Sequence, residues 1–174
     1  MKKIKILTFL FIFSLVTYAW SVNKDLQTIS DLTSKKGILS IEEIQENKLY
    51  RLKGEWEYYP NVFLNDNDTL DDKLVHNYQT IEHNWSTDKT FNNGFGYESY
   101  RLVLKGLDSN IQYGLLLERA GSSYQLYVNN NLTLSNGKIA KSETDSISEN
   151  FTDKAVFKSD LNGNAEIIVE IQTM

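Results

Sequence analysis

Residues 100–105 read Tyr-Arg-Leu-Val-Leu-Lys, and their alternation decides the fold class. Tyr100, Leu102 and Leu104 share one face of an extended chain, while Arg101, Val103 and Lys105 share the other. The same period of two returns elsewhere. Ile111, Tyr113, Leu115 and Leu117 share a face, as do Tyr124, Leu126 and Val128 against Gln125, Tyr127 and Asn129. From Ala165 to Ile171, Ile167, Val169 and Ile171 oppose Glu166, Ile168 and Glu170. Such alternation marks strands of antiparallel sheets with one buried face.

Turn-forming clusters separate these runs: Gly106 to Asn110, Gly121-Ser122-Ser123, Asn129-Asn130-Asn131, Asn136-Gly137 and Asn162-Gly163-Asn164. Glycine and asparagine tolerate positive φ, and asparagine also closes local turns with its side chain. Strands about ten residues apart with turns between them predict an all-β antiparallel sandwich or barrel. Ser40-Ile41-Glu42-Glu43 fits a capping box and predicts one short helix ending near Asn47. No repeat is present, and the 17 asparagines are spread along the chain.

The N-terminus reads differently. Lys2, Lys3 and Lys5 precede an apolar run from Ile6 to Val16, and the small residues Ala19 and Ser21 follow. This pattern predicts an export signal over residues 1–21, cleaved after Ser21. Its apolar core falls short of the roughly 20 residues of a transmembrane helix, although an uncleaved anchor is the alternative. Residues 22–36 are polar with scattered leucines and read as a linker or loosely packed arm. Cleavage leaves 153 residues with 15 basic and 23 acidic side chains, taking the net charge from −5 to −8. The expected location is periplasmic or otherwise extracytoplasmic.

Composition removes several functions. With no cysteine among 174 residues, disulfides, cysteine metal sites, thiol nucleophiles and cysteine lipid anchors are excluded. The acidic balance argues against a nucleic-acid binder, which needs cations for the phosphates. Glu55 and Glu57 flank Trp56 on one strand face, as an acid–base pair requires, but a solvated face explains them better. His76 and His83, seven apart on an extended chain, point to opposite faces and suit no shared metal. Asp66, Asp68, Asp71 and Asp72 concentrate oxygen ligands in one loop, yet the EF-hand pattern is missing. No nucleophile elbow or phosphate-binding glycine loop occurs. The four Asn-x-Ser/Thr sequons, at Asn67, Asn84, Asn131 and Asn150, match the asparagine content and decide nothing. The expectation is a non-catalytic chain without metal or cofactor.

Three segments carry a resemblance. The first joins Gly37-Ile-Leu-Ser to Leu52-Lys-Gly54-Glu-Trp56-Glu-Tyr58-Tyr59. The second is Gly94-Phe-Gly96-Tyr97-Glu-Ser99-Tyr100-Arg101-Leu102. The third is Ser123-Tyr124-Gln-Leu126-Tyr127-Val128-Asn129, with Asn136-Gly137 after it. In this order they resemble the extracellular sensor domain of bacterial seven-transmembrane receptors with diverse intracellular signalling modules. That domain is a galactose-binding-like jelly roll, similar also to the sugar-binding domain at the front of glycoside hydrolase family 2 enzymes. The resemblance covers residues 37–174. It differs at Asn129-Asn130, where relatives carry Asn-Gly, and at Glu82-His83-Asn84, where they often carry Pro-Gly.

The resemblance implies a ligand-binding sensor domain for a carbohydrate or a small carboxylated molecule. Candidate ligand-binding residues are Trp85, Tyr97, Arg101, Arg119 and Tyr124, rings for apolar ligand faces and guanidinium groups for hydroxyls or acids. Relatives continue into a seven-helix bundle and an output module, so the membrane enters only through an uncleaved signal or those receptor parts. The alternatives are an accessory sugar-binding domain of a glycoside hydrolase and a structural or adhesion sandwich.

Overall fold

A computed structural model describes residues 29–46, 48–65, 77–81, 95–117, 123–149 and 153–173. The described residues fall into two compact units, 29–31 with 45–51 and 32–44 with 52–173. In the first, the Ser30 amide donates to Leu49 O at 3.2 Å and Asp31 lies 4.0 Å from the Arg51 guanidinium. The second is an all-β sandwich. The export signal, both histidines and the aspartate-rich loop lie outside the described residues. Among the described residues no helix is long and apolar enough to cross a membrane.

Strand β1 (Ser30–Ser34) lies within the stretch read as a linker and pairs with β3 (Tyr50–Gly54). Polar composition hid it: the Ser34 hydroxyl is buried and faces Lys53 O and Glu55 O, each at 2.9 Å. Gly54 permits that approach. Its φ is +95°, and a β-carbon there would stand 2.3 Å from Ser34 O.

The large sheet runs β5 (Asn77–Gln79), β4 (Trp56–Pro60), β6 (Gly96–Lys105), β11 (Ala165–Thr173), β8 (Ser123–Val128) and β9 (Asn131–Asn136). Antiparallel β11 takes one edge of β6 over residues 96–104. The other edge is shared. β4 pairs with residues 98–101, and β2 (Ile38–Ser40) pairs with residues 103–105. The β2 pairing is parallel, a departure from a purely antiparallel sheet. Left-handed Lys36 and Gly37 turn the chain there, and Gly37 O accepts from the Val103 amide at 2.9 Å.

The expected helix at Ser40-Ile41-Glu42-Glu43 is absent. Ser40 ends β2, the Ile41 amide donates to Lys105 O at 2.8 Å, and the Ile41 side chain is buried. Sheet hydrogen bonding and core packing outweigh the two bonds of a capping box. Ile111 also leaves its expected strand. The Asp108 carboxylate accepts from the Asn110 amide at 2.8 Å, closing a turn, so β7 covers Tyr113–Leu117.

The four principal strands otherwise follow the alternation. Tyr100, Leu102, Leu126, Ile167, Val169 and Ile171 are at most 2% exposed and join Trp56 and Tyr58 in one core. The second layer is the ladder of β7 with β10 (Asp153–Phe157), which adds Ala155 and Phe157. Asn129 and Asn130 both have positive φ and close the β8–β9 hairpin, the geometry that Asn-Gly usually supplies.

Candidate functional site

The other face of the large sheet carries Ser99, Glu170, Gln172 and Ser123, all at most 1% exposed. Sheet register sets them in rows. Ser99, Glu170 and Gln125 lie side by side across β6, β11 and β8, and Tyr97, Gln172 and Ser123 form the next row. Polar side chains this deep require partners. Two segments supply them.

The first follows β4. The Asn61 amide donates to Tyr97 O at 2.9 Å. Ser99 Oγ donates to Val62 O at 2.7 Å and accepts from the Leu64 amide at 3.2 Å. The Asn65 amide donates to Glu170 Oε1 at 2.7 Å. Leu64 completes the cover by packing with Tyr59 and Ile168. The second segment follows β9. Left-handed Gly137 turns the chain, Lys138 bridges Ile147, and the Ala140 amide donates to Gln172 Oε1 at 3.0 Å.

Between these covers lies a cavity of about 250 Å³. Glu170, Gln125 and Tyr127 line it from the sheet, Phe63 and Asn65 from one cover, and Ile139 to Lys141 from the other. The Tyr127 hydroxyl donates to Gln125 Oε1 at 2.7 Å. Asn65 Nδ2 is buried and meets no acceptor among the described residues. The arrangement joins apolar and ring residues to a few polar groups, of which Glu170 and Asn65 Nδ2 are buried, the mixture that small polar ligands require.

An ion-pair cluster stands on the same face. Arg101 reaches Glu57 Oε2 through Nη1 at 2.7 Å and Glu166 Oε1 through Nε at 2.6 Å. Tyr59 OH donates to Glu57 Oε2 at 2.9 Å. Burial, that hydrogen bond and the Glu57 charge hold the Tyr59 phenol well above its ordinary range. Burial opposes the Arg101 charge, but the bonds to Glu57 and Glu166 outweigh it and raise the guanidinium pKa further.

The five residues singled out from sequence separate in space. Trp85 and Arg119 lie outside the described residues. Tyr124 is 2% exposed on the core face, turned away from the cavity. Arg101 is on the cavity's face with its guanidinium held by two carboxylates. Tyr97 is half-buried, its ring 4.9 Å from that of Phe63, so it backs the cavity wall. Glu55 and Glu57 have separate partners, Glu55 Oε2 accepting from the Lys36 amide at 3.0 Å. Sequence reasoning missed Phe63, Asn65, Gln125 and Glu170. Only the outward parity of Gln125 and Glu170 in their strands pointed to them.

No protein-family model matches the chain, and no curated protein matches it. Among solved structures it is similar to part of a glycoside hydrolase family 2 β-galacturonidase from Eisenbergiella tayi, determined with galacturonate bound. The TM-score is 0.40 at 12% identity, over 67% of this chain and 17% of that protein.

Proposed function

We propose that this chain is an exported, non-catalytic ligand-recognition domain, the sensor part of a bacterial signalling receptor, for a carbohydrate or small carboxylated molecule. The observation that carries this reading is the cavity over Glu170, where a buried carboxyl side chain shares the lining with the aromatic residues Phe63 and Tyr127. The three motif segments that resemble receptor sensor domains of the galactose-binding-like jelly-roll type support it. So does the cationic, then apolar, N-terminal segment, which fits export to the compartment where such domains work. The carboxylate pair with the best sequence claim to acid–base work also favours recognition, because Glu57 is bound by Arg101 and Tyr59.

In a receptor, ligand bound between two chain segments would favour one arrangement of them and pass that preference to the attached bundle. Calorimetric titration with sugars and small carboxylic acids tests the recognition step. Saturable binding with a raised Tm and shifted amides at 61–65 and 138–141 is expected. Hydrolysis of a glycoside by the purified chain would sink the non-catalytic reading. The mass of the mature protein tests export, and should correspond to a start at Val22. The gene beyond codon 174 separates a receptor, with membrane helices, from a hydrolase accessory domain, with a catalytic barrel.

A further inference from the structure

The two segments over the cavity are held in different ways. Residues 61–65 are anchored by what lies beneath them. Phe63 and Leu64 are buried, and the Leu64 and Asn65 amides donate to Ser99 and Glu170 of the sheet. No residue of 138–149 is buried, and that segment closes on itself instead. Lys138 and Ile147 exchange amide hydrogen bonds at 2.8 and 3.0 Å, and the Gly137 amide donates to the Glu149 carboxylate at 3.2 Å. At the far end Ser142 Oγ donates to Asp145 Oδ2 at 2.6 Å, and Ser146 Oγ to Glu143 O at 2.7 Å. The neck is narrow: a β-carbon on Gly137 would run into Ile147 O and stand 3.2 Å from the Glu149 nitrogen. A surface loop with its ends together and its bonds internal has the form of an Ω-loop.

Lifting this loop costs little. It breaks the bond from the Ala140 amide to Gln172 Oε1. Gln172 has no exposed surface, and its Nε2 meets no acceptor among the described residues while the loop is down. Opening admits water to that side-chain amide, and hydration of the stranded donor offsets the lost bond. Lys141 and Ser148 are exposed and Ser146 is half-buried, so water also replaces the bonds that those side chains make.

We infer that residues 138–149 are a lid that lifts from the sheet as one body at the Gly137 neck, and that the cavity is entered from this side while 61–65 stays in place. Ile139, Ala140 and Lys141 are the part of the lid that lines the cavity, so lifting bares Gln125 and Tyr127. The lid supplies the way in for the ligand-recognition reading and rests on it, but its test uses no ligand, so the two fail separately.

The first measurement is native-state hydrogen exchange of the full mature chain in low urea. The Ala140 amide should exchange about a hundredfold or more faster than those of Leu64 and Asn65, at a rate nearly flat in urea because lifting exposes little surface. Gly137→Ala, strained at φ +67°, should speed Ala140 about tenfold and leave Leu64 and Asn65 within about twofold. The second measurement is labelling. The chain has no cysteine, so Gln125→Cys places a single thiol in the cavity wall. Its reaction with a two-ring aromatic disulfide should rise about tenfold when Gly137→Ala is added. Ile147→Pro removes one neck bond at an exposed position and takes the place of Gly137→Ala should that variant fail to fold. Equal exchange at Ala140 and Leu64, or Ala140 exchange that follows global unfolding in urea, overturns the lid. Faster Ala140 exchange without faster labelling overturns entry from this side.

Discussion

The two faces of the large sheet are built from alternate residues of the same strands, and both carry fully buried side chains. They do so by opposite means. On the core face Leu102, Leu126, Ile167 and Val169 pack against a second layer, and burial itself stabilises them. On the other face Ser99, Glu170 and Gln172 are buried just as completely, yet each holds a backbone group of a crossing segment. Burial is costly for these side chains, and only the hydrogen bonds offset it. A core face keeps the sheet together, whereas a buried polar row can hold two loops around a cavity.

Four measurements break or sharpen this contrast. The largest effect belongs to Leu102→Ala, at a position with no exposed surface, which should cost about 2–5 kcal/mol in urea unfolding. A loss under about 1 kcal/mol would mean that the core relaxes more freely than packed interiors do. Ser99→Ala comes next. It strands Val62 O and the Leu64 amide and should cost about 1–3 kcal/mol, with hydrogen exchange rising at 61–65 before the core strands. Uniform loss of protection would show that the covers and the sheet open as one unit.

Arg101→Met probes the partly exposed ion pairs on the same face. It should cost about 1 kcal/mol or less, and 1 M salt should shrink the difference. Asp160, in the turn before β11, is the control outside both faces. The amides of Asn164 and Asn162 donate to it at 2.7 and 2.9 Å and lower its pKa below 3.8. The charged form is favoured in the folded turn. Its contribution is therefore present above pH 3.8 and lost as pH falls through the lower folded value. The Asn162 and Asn164 amide resonances should move in that acid range and stay flat in Asp160→Asn, with global stability at neutral pH nearly unchanged.

The strands were legible because alternation is local. Tyr100-Arg101-Leu102-Val103-Leu104 states which side chains face the core without reference to any other part of the chain. Asn129-Asn130 announced its hairpin for the same reason: the required positive φ belongs to those two residues. The site was not legible. Glu170 reads as an outward, solvated position until Asn65, 105 residues earlier, donates its amide to it. Tyr124 shows the converse, since an aromatic suited to a ligand on chemical grounds also suits a core, and strand parity placed it there. The misread capping box at Ser40 belongs with these, because an edge of β6 on the far side of the chain claimed its backbone.

By itself, then, the sequence determined the all-β class, the inward face of β6, β8 and β11, and the turns between them, all of which depend on residues within a few positions of one another. The tertiary structure decided that β2 runs parallel to β6 and that two crossing segments cover part of the outward face. It also set a 250 Å³ cavity over Glu170 rather than around the arginines and aromatic residues that the motifs had favoured. The physical reason is reach. A side chain's parity follows from its neighbours in the strand, but its solvation depends on which distant segment crosses above it.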